Sequence, residues 1–290
     1  MDLSPHPRAA RLGVGVVSAG RVGAVLGAAL ARAGHHVTAA AGVSAASRAR
    51  AAALLPGVPL LPADDVARGC DLLLLAVPDD ALADLVTGLA STGALQRGQL
   101  VAHTSGRHGL AVLEPAVRSG ALPLALHPVL PFTGSAVDLA RLVGVSFGVT
   151  TPQQLRPVGE ALVLEMGGEP VWVLDAMRPL WHAALAHGAN HLVTLVASAA
   201  DLLRAAGAQD PGAVLGPLLQ AALDGALAGG EAALTGPVVR GDAGTVAAHL
   251  AVLPDDVRPA YTALARLTAD RALTAGRLRA DQVAGLLEVL

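Results

Sequence analysis

Apolar residues in the first 174 positions form short runs separated by longer segments of helical composition. The strand-length runs are "RLGVGVV", "HHVTAA", "DLLLLAV", "QLVAHT", "LPLALHP", "SFGVT" and "PVWVLD". Alternation of short apolar strands with helices predicts a mainly parallel sheet that helices cover on both faces. We therefore expect a doubly wound α/β domain over residues 11–174.

The pattern changes at residue 175, after which no strand-length apolar run follows. The next thirty or so positions predict one long helix, with Asp175 as a candidate N-cap and Pro179 in its first turn. Gly207 is the expected end of this helix. Further segments typical of helices are 211–229, 243–252 and 256–275. The sequence therefore predicts an all-helical second domain over residues 175–290.

A glycine motif lies directly after the first predicted strand and opens a predicted helix. It consists of Ser18, Ala19, Gly20, Arg21, Val22 and Gly23. In dinucleotide-binding domains of this Rossmann-like type, the second glycine lets the backbone approach a pyrophosphate and the third allows close helix–strand packing. We expect Ser18 to form the turn that the first glycine usually makes. The alternative is that both glycines serve packing alone.

The residues after the second predicted strand favour NADP over NAD. NAD sites place an acidic residue about 20 positions beyond the motif to bind the ribose hydroxyls. No acidic residue occurs between Asp2 and Asp64, whereas Ser44, Ser47 and Arg48 are available to a 2′-phosphate. The alternative for Arg48 is a solvated position on a helix.

Two more segments end predicted strands at the carboxyl edge of the sheet, where open α/β sheets bind ligands. Val77 and Pro78 follow one strand, and Thr104 and Ser105 follow the next. We expect Val77, Pro78 and Thr104 to contact the cofactor there.

Polar residues interrupt the apolar long helix at His182, His187, Asn190 and His191. At 100° per residue, His182 and Asn190 lie about 80° apart and roughly 12 Å apart along the axis, and His191 points away from both. His182 and Asn190 could thus flank one substrate. Each histidine could instead be a hydrogen-bonded core side chain.

A second polar cluster, Thr235, Arg240, Asp242 and His249, surrounds a Gly-Pro turn. It is a candidate substrate site, in which Arg240 would bind a carboxylate through two hydrogen bonds. In the structural alternative, Asp242 caps the helix that carries His249, and Arg240 pairs with an acid.

Composition argues for a small-molecule partner. The net charge is −3, with 20 basic and 23 acidic residues, and no run of like charge suggests nucleic acid or a membrane surface. The apolar runs are too short to span a bilayer, and the N-terminal segment lacks a signal-peptide pattern, so we expect a cytoplasmic protein. The single Cys70 predicts a core residue, and no metal site is expected.

The motifs "HTSG", "LHPVLPFT", "WHAALAHGANHLVTL" and "LTGPVVRGD" occur after the glycine motif in a characteristic order. In this order they resemble a family of Rossmann-like oxidoreductases whose C-terminal part is a domain of unknown function. The family is similar to the 6-phosphogluconate dehydrogenase-like superfamily, whose helical domain commonly dimerises. The resemblance implies an NADP-binding domain and a homodimer. Some members of the family are similar to an alternative type of ketopantoate reductase.

This chain departs from the superfamily's usual Lys-x-x-x-Asn pair, because Ala186 stands four positions before Asn190. We therefore expect His182 to be the proton donor instead, with Asn190 orienting the substrate or nicotinamide. Ser105 and His127 would contact the reacting group, while Thr235 and His249 would line the substrate site beside Arg240.

These residues predict an NADPH-dependent reductase of a small keto acid that works in the cleft between two domains. Ketopantoate (2-dehydropantoate) is the first candidate substrate. The alternatives are a pyrroline-5-carboxylate-type imine reductase and a non-catalytic NADP-binding regulatory module.

Overall fold

A computed structural model describes residues 11–290; the N-terminal segment 1–10, expected to be a frayed tail, lies outside the described residues. The chain forms two compact units, which divide between Gly188 and Ala189. Each unit is described by itself.

The first unit contains a seven-stranded sheet in the order β2-β1-β3-β4-β5-β6-β7. The strands are β1 Gly13–Val17, β2 His36–Ala41, β3 Leu72–Leu75, β4 Leu100–His103, β5 Leu122–Pro128, β6 Ser146–Thr150 and β7 Glu169–Trp172. Strands β1 to β5 are parallel, and β6 pairs antiparallel to β5 and parallel to β7. The predicted mainly parallel sheet is confirmed, and each predicted run overlaps one strand.

Helices cover both faces of this sheet. They are α1 Arg21–Arg32, α2 Ala45–Leu54, α3 Ala63–Arg68, α4 Asp79–Ser91, α5 Glu114–Arg118, α6 Val137–Arg141, α7 Arg156–Glu165 and α8 Arg178–Leu185. Side chains alternate along β3: Leu72 and Leu74 join the core under α1 and α7, whereas Leu73 and Leu75 join the core under α3 and α4. Burial on both faces explains the continuous apolar strand sequence.

The strand order reverses beside β1, which pairs with β2 on one side and β3 on the other. Backbone hydrogen bonds join the carboxyl ends of these strands: Ala19 N–H to Ala41 O (2.8 Å) and Ala76 N–H to Val17 O (3.0 Å). A third bond, from Thr104 N–H to Leu75 O (3.1 Å), adds the end of β4. Ligands bind at such a reversal in open α/β sheets.

The first unit extends past Leu174, where the sequence placed the domain boundary. The reason is that α8 is held to the sheet: the guanidinium of Arg178 donates hydrogen bonds to Gly148 and Thr150 of β6. Asp175 does not cap α8. Its carboxylate accepts the N–H of Leu110 (2.6 Å) at the start of a short 3₁₀ turn.

The second unit is helical, as predicted. Its helices are α9 His191–Ala205, α10 Pro211–Gly229, α11 Ala243–Val252, α12 Arg258–Thr274 and α13 Ala280–Leu287. The sequence interpretation missed α13. Its buried Leu286 packs in one cluster with Val246 of α11 and Ala269 of α12.

The predicted uniform helix over residues 178–207 is interrupted. The α8 segment ends at Leu185, a π-helical turn spans Ala186–Asn190, and α9 follows. A π turn bonds i to i+5 and therefore rotates less per residue than an α-helix. The angle of about 80° expected between His182 and Asn190, and the opposite placement of His191, rested on an unbroken α-helix and do not apply.

Helix α10 leaves apolar side chains uncovered in the second unit. Leu218 and Leu227 are 65% and 80% exposed. Residues 211–233 are also the one segment within 11–290 that is long and apolar enough to cross a membrane, and Pro211 is its one buried residue. Length and composition are weak support for a membrane span, because a helix covered by another protein surface has the same pattern.

Histidine 103 is a fully buried titratable group at the end of β4. Its Nδ1 accepts the N–H of Ser105 (3.2 Å), so its Nε2–H donates to Gly109 O (3.1 Å). Burial, with a smaller contribution from Arg178, lowers the pKa of His103 to about 3, and His108 acts in the same direction while Asp79 opposes it. His103 is therefore neutral in the folded protein.

We expect the protein to form a homodimer through its helical half, because covering the apolar α10 face stabilises association. The double variant L218E/L227E should weaken dimerisation at least tenfold in sedimentation equilibrium. The equally solvent-facing Val143 of the first unit, 74% exposed, supplies the control V143E, which should have no effect. A wild-type monomer at micromolar concentration would contradict this expectation.

We also expect acid to destabilise the fold through His103. The unfolded chain binds a proton near pH 6.5 that the folded chain accepts only near pH 3, so stability is lost as the pH falls through this window. Between pH 8 and pH 5 the wild type should lose about 2 kcal/mol more unfolding free energy than H103Q in urea denaturation. The control V101A, on the same strand, should lower stability equally at both pH values. Equal pH dependence of H103Q and wild type would disprove the assignment.

Candidate functional site

Ser18 forms the turn between β1 and α1 in a left-handed conformation, with φ at +73°. It is the one non-glycine residue with positive φ within residues 11–290. This conformation raises the conformational free energy of an L-residue by about 1–2 kcal/mol, whereas glycine adopts it without strain. Ser18 thus occupies the backbone position of the missing first glycine.

The two glycines of the motif have different environments. A Cβ on Gly23 would lie 2.1 Å from the carbonyl oxygen of Ser18 and 2.9 Å from Cβ of Ala76, so packing requires glycine there. A Cβ on Gly20 would meet only Oγ of Ser18, at 3.4 Å. Packing therefore explains Gly23 and leaves Gly20 unexplained, as expected where a phosphate approaches the backbone.

The N-terminus of α1 is free to bind an anion. Gly20 is its N-cap residue, no side chain caps it, and no acidic residue lies in its first turn. Arg21 begins the helix and is exposed, while Val22 packs against the core and Ala19 is fully buried. Uncapped N–H groups and the positive end of the helix dipole favour a phosphate here.

Ser44 and Ser47 form the start of α2, directly after β2. Ser44 Oγ accepts the N–H of Ser47 (3.0 Å), and the Ser47 hydroxyl donates to Ser44 O (2.8 Å). Arg48 is exposed and donates to the carbonyl oxygen of Val43. Ser44 and Arg48 are therefore accessible to a ligand, whereas the buried Ser47 shapes the turn that presents them.

The remaining predicted cofactor residues lie along the same sheet edge. Val77 and Pro78 connect β3 to α4, and Pro78 is the N-cap residue of that helix. Thr104 follows β4 and is partly exposed.

Three of the predicted catalytic residues meet around Gly106. A Cβ on Gly106 would lie 2.6 Å from Cδ2 of His182 and 2.9 Å from Nε2 of His127. The two imidazole rings pack edge to face, with centroids 5.8 Å apart. Ser105 precedes this glycine, and its Oγ accepts the N–H of His108 (3.1 Å). Asn190 belongs to the second unit, where it is exposed at the end of the π turn.

Arg178 underlies this cluster and was missed by the sequence interpretation. Its side chain is fully buried, and it donates to Gly148 O (3.3 Å), Thr150 Oγ1 (3.0 Å) and Ser105 O. Burial lowers its pKa to about 10, and it remains charged at neutral pH. Within residues 11–290 no carboxylate pairs with it, and its Nε–H has no acceptor.

Trp181 is the second residue that the sequence interpretation missed. Its Nε1–H donates to Nδ1 of His127 (3.2 Å), and its indole fills the space beside Gly148, where a Cβ would lie 2.9 Å from the ring. Burial lowers the pKa of His127 to about 4, and the charges of Arg178 and His182 act in the same direction. His127 is therefore a neutral ring at pH 7.

In the second unit, the structural alternative holds for Asp242. It caps α11 by accepting the N–H of Thr245 (3.0 Å) and its hydroxyl (2.7 Å), and these bonds lower the pKa of the carboxyl group. Arg240 is exposed, and the expected acidic partner is not found among the described residues. His249 Nδ1 hydrogen-bonds the hydroxyl of Tyr261 (2.8 Å).

A mostly apolar groove of about 670 Å³ lies between α9, α11 and α12. Thr235 and His249 line it together with His191 and Tyr261. The structure thus places two of the three predicted substrate-binding residues at one groove.

Comparison with known families divides the chain into two parts. Residues 2–128 match the Rossmann-like domain, and residues 145–268 match DUF2520, a domain of unknown function. No curated protein matches the sequence.

Solved structures share the fold at low sequence identity. A Bacteroides fragilis protein assigned as an NADP oxidoreductase matches with a TM-score of 0.76 and 20% identity, over 90% of this chain and 98% of its own. An imine reductase from Pseudomonas sp. has a TM-score of 0.63 and 19% identity, over 97% of this chain and 99% of its own. A Plasmodium falciparum pyrroline carboxylate reductase with NADP bound has a TM-score of 0.56 and 13% identity, over 95% of this chain and 98% of its own.

Identities this low establish the fold alone, while the two domain matches agree with the family recognised from the sequence motifs. The chain joins a Rossmann-like domain to a DUF2520 domain, and it shares its fold with these solved structures.

Proposed function

We propose that the protein is an NADPH-dependent reductase of a small substrate with a C=O or C=N bond. The observation that carries the proposal is the open backbone at Gly20 on an uncapped helix N-terminus. Hydrogen bonds between the strand ends connect this turn to the sheet edge at Thr104, next to the Ser105, His127 and His182 cluster. A phosphate-binding turn and side chains that can donate a proton at the same sheet edge are what reduction of a C=O or C=N bond by NADPH requires.

NADPH supplies the hydride in such a reaction, and the protein supplies orientation and a proton. His182 is the proposed proton donor. Within residues 11–188 its ring nitrogens have no hydrogen-bond partner, and its ring is partly exposed. Ser105 and His127 are proposed to contact the reacting group.

NADPH is the proposed cofactor because the exposed Ser44 and Arg48 follow β2 where an NAD site would have a carboxylate. One guanidinium nitrogen of Arg48 donates to Val43 O, and the other N–H donors of Arg48 are available to a 2′-phosphate.

We propose two substrate classes. A keto acid, with 2-dehydropantoate first, would place its carboxylate on Arg240, an exposed cation without an acidic partner among the described residues. Asn190, Thr235 and His249 would complete its contacts. A pyrroline-carboxylate-type imine is the second class, and the shared fold with an imine reductase and a pyrroline carboxylate reductase favours testing it.

A non-catalytic NADP-binding regulator is the third proposal. It is favoured by the absence of lysine at position 186, where Ala186 stands. Thermal stabilisation by NADPH with no turnover of any 2-keto acid or cyclic imine would support this role against the reductase.

We expect tighter binding of NADPH than of NADH in fluorescence titrations. R48A should weaken NADPH binding about tenfold, because a charge-assisted contact to the 2′-phosphate is lost, and should change NADH binding less than twofold. G20A should weaken both cofactors, since its methyl group would occupy the pyrophosphate position. The control R32A lies in the last turn of α1 and should affect neither. Equal wild-type affinities would refute the NADP preference.

We expect H182A to lower kcat by about 10²–10⁴-fold while the Kd for NADPH changes little, since general acid catalysis contributes in this range. The matched control is H36A, an exposed histidine at the start of β2, far along the strand from the carboxyl edge. A loss of less than tenfold in H182A would assign the proton donor to another group.

A further inference from the structure

Trp181 restricts the protonation state of His127. An indole N–H can only donate a hydrogen bond, and here it donates to Nδ1 of His127 at 3.2 Å. Nδ1 must therefore present a lone pair, which excludes both the doubly protonated ring and the Nδ1–H tautomer. The ring that satisfies this contact is neutral and carries its proton on Nε2.

The Nε2–H group faces the cluster and has no partner within the first unit. Nε2 lies 2.9 Å from the position of a Gly106 Cβ, on the side where His182 also approaches. No hydrogen bond within residues 11–188 uses this nitrogen, although the opposite ring nitrogen is bonded. The side chain is therefore held by one edge and offers a donor at the other.

The charged surroundings favour the same state. Arg178 and His182 face His127 from α8, and their charges disfavour a positive charge on the His127 ring. Asp79 of α4 acts weakly in the opposite direction. Burial is the largest cause of the shift and, together with these charges, brings the pKa of His127 to about 4. His127 thus stays neutral from pH 5.5 to pH 8.

A glycine on the neighbouring strand makes the contact with Trp181 possible. Gly148 of β6 is paired with His127 of β5, and a Cβ there would lie 2.9 Å from the indole. The indole therefore lies beside Gly148 with its N–H directed at the histidine.

We propose that Trp181 is a positioning residue that holds His127 as the Nε2–H tautomer, so that His127 donates a hydrogen bond to the reacting oxygen or nitrogen while His182 supplies the proton. This inference rests on the proposed reductase function. Hydride addition to carbon opens the C=O π bond toward oxygen, and the developing negative charge accepts the Nε2–H hydrogen bond of His127. Protonated His182 then transfers its proton to this oxygen and becomes neutral, while His127 keeps its own proton. For an imine, nitrogen replaces oxygen.

The experiment begins with the wild-type protein without ligands. Long-range ¹H–¹⁵N NMR of the histidine rings should show His127 protonated at Nε2 alone from pH 5.5 to pH 8. In W181F the aromatic ring remains but the donor is lost, so a signal for the Nδ1–H tautomer should appear. The kcat for NADPH-dependent reduction should fall about tenfold, with KM changed less than twofold, because one neutral hydrogen bond to the transition state is lost.

The chain's other tryptophan provides the matched control. Trp172 is 37% exposed on β7, with the Arg156 guanidinium carbon 4.7 Å from its ring centroid. W172F should leave the His127 signals and kcat unchanged. A second test, G148A, would displace the indole without altering its chemistry, and it should reproduce the tautomer change of W181F.

Three results would overturn the proposal: wild-type His127 protonated at Nδ1 at pH 7, a W181F spectrum identical to wild type, or a changed tautomer with unchanged kcat. The spectra are recorded without substrate, so they separate this proposal from the reductase function. A chain that shows the predicted tautomer but reduces neither 2-keto acids nor cyclic imines would refute the function and the role of His127 in it, while leaving the contact with Trp181 established.

Discussion

The organisation of the first unit's site depends on one buried charge. Arg178 has no carboxylate partner among the described residues and relies on oxygen atoms of Gly148, Thr150 and Ser105. A buried guanidinium without hydrogen bonds would be strongly unfavourable, so these acceptors must stay in place for α8 to remain docked. One side chain thereby connects β6, the loop after β4 and the helix that carries Trp181 and His182.

Small residues decide where the larger groups can lie. Gly106 admits two imidazole rings, Gly148 admits an indole, and Gly23 admits the backbone of the β1–α1 turn. In each case the neighbour that needs the space belongs to the protein itself. Gly20 differs because the space beside it is empty of protein atoms except Oγ of Ser18. Of these four glycines, Gly20 alone has no protein neighbour that requires the absence of a side chain, and it lies where a phosphate is proposed to bind.

Local patterns predicted most of the fold. The strands were recognised because a sheet buried on both faces imposes continuous apolar runs, and the glycine motif was recognised because its spacing matches the turn that it forms. Ser105, His127 and His182 were proposed from the sequence, and the structure brings them together. Arg178 and Trp181 gave no signal, since an arginine near a helix start and a tryptophan on a helix are ordinary. Their importance comes from contacts with residues 28 to 73 positions earlier in the chain. The π turn was also missed, because its sequence is compatible with an α-helix.

The left-handed serine in the first turn has a consequence for how this protein would be found and redesigned. A pattern search that demands three glycines would pass over the chain, although its backbone follows the same path. A redesign that ranks substitutions by thermal stability alone would replace Ser18 with glycine, which relieves the φ of +73° and discards the hydroxyl group. Selection for thermal stability would therefore favour glycine at position 18, whereas selection for a hydrogen bond from the hydroxyl group would favour serine.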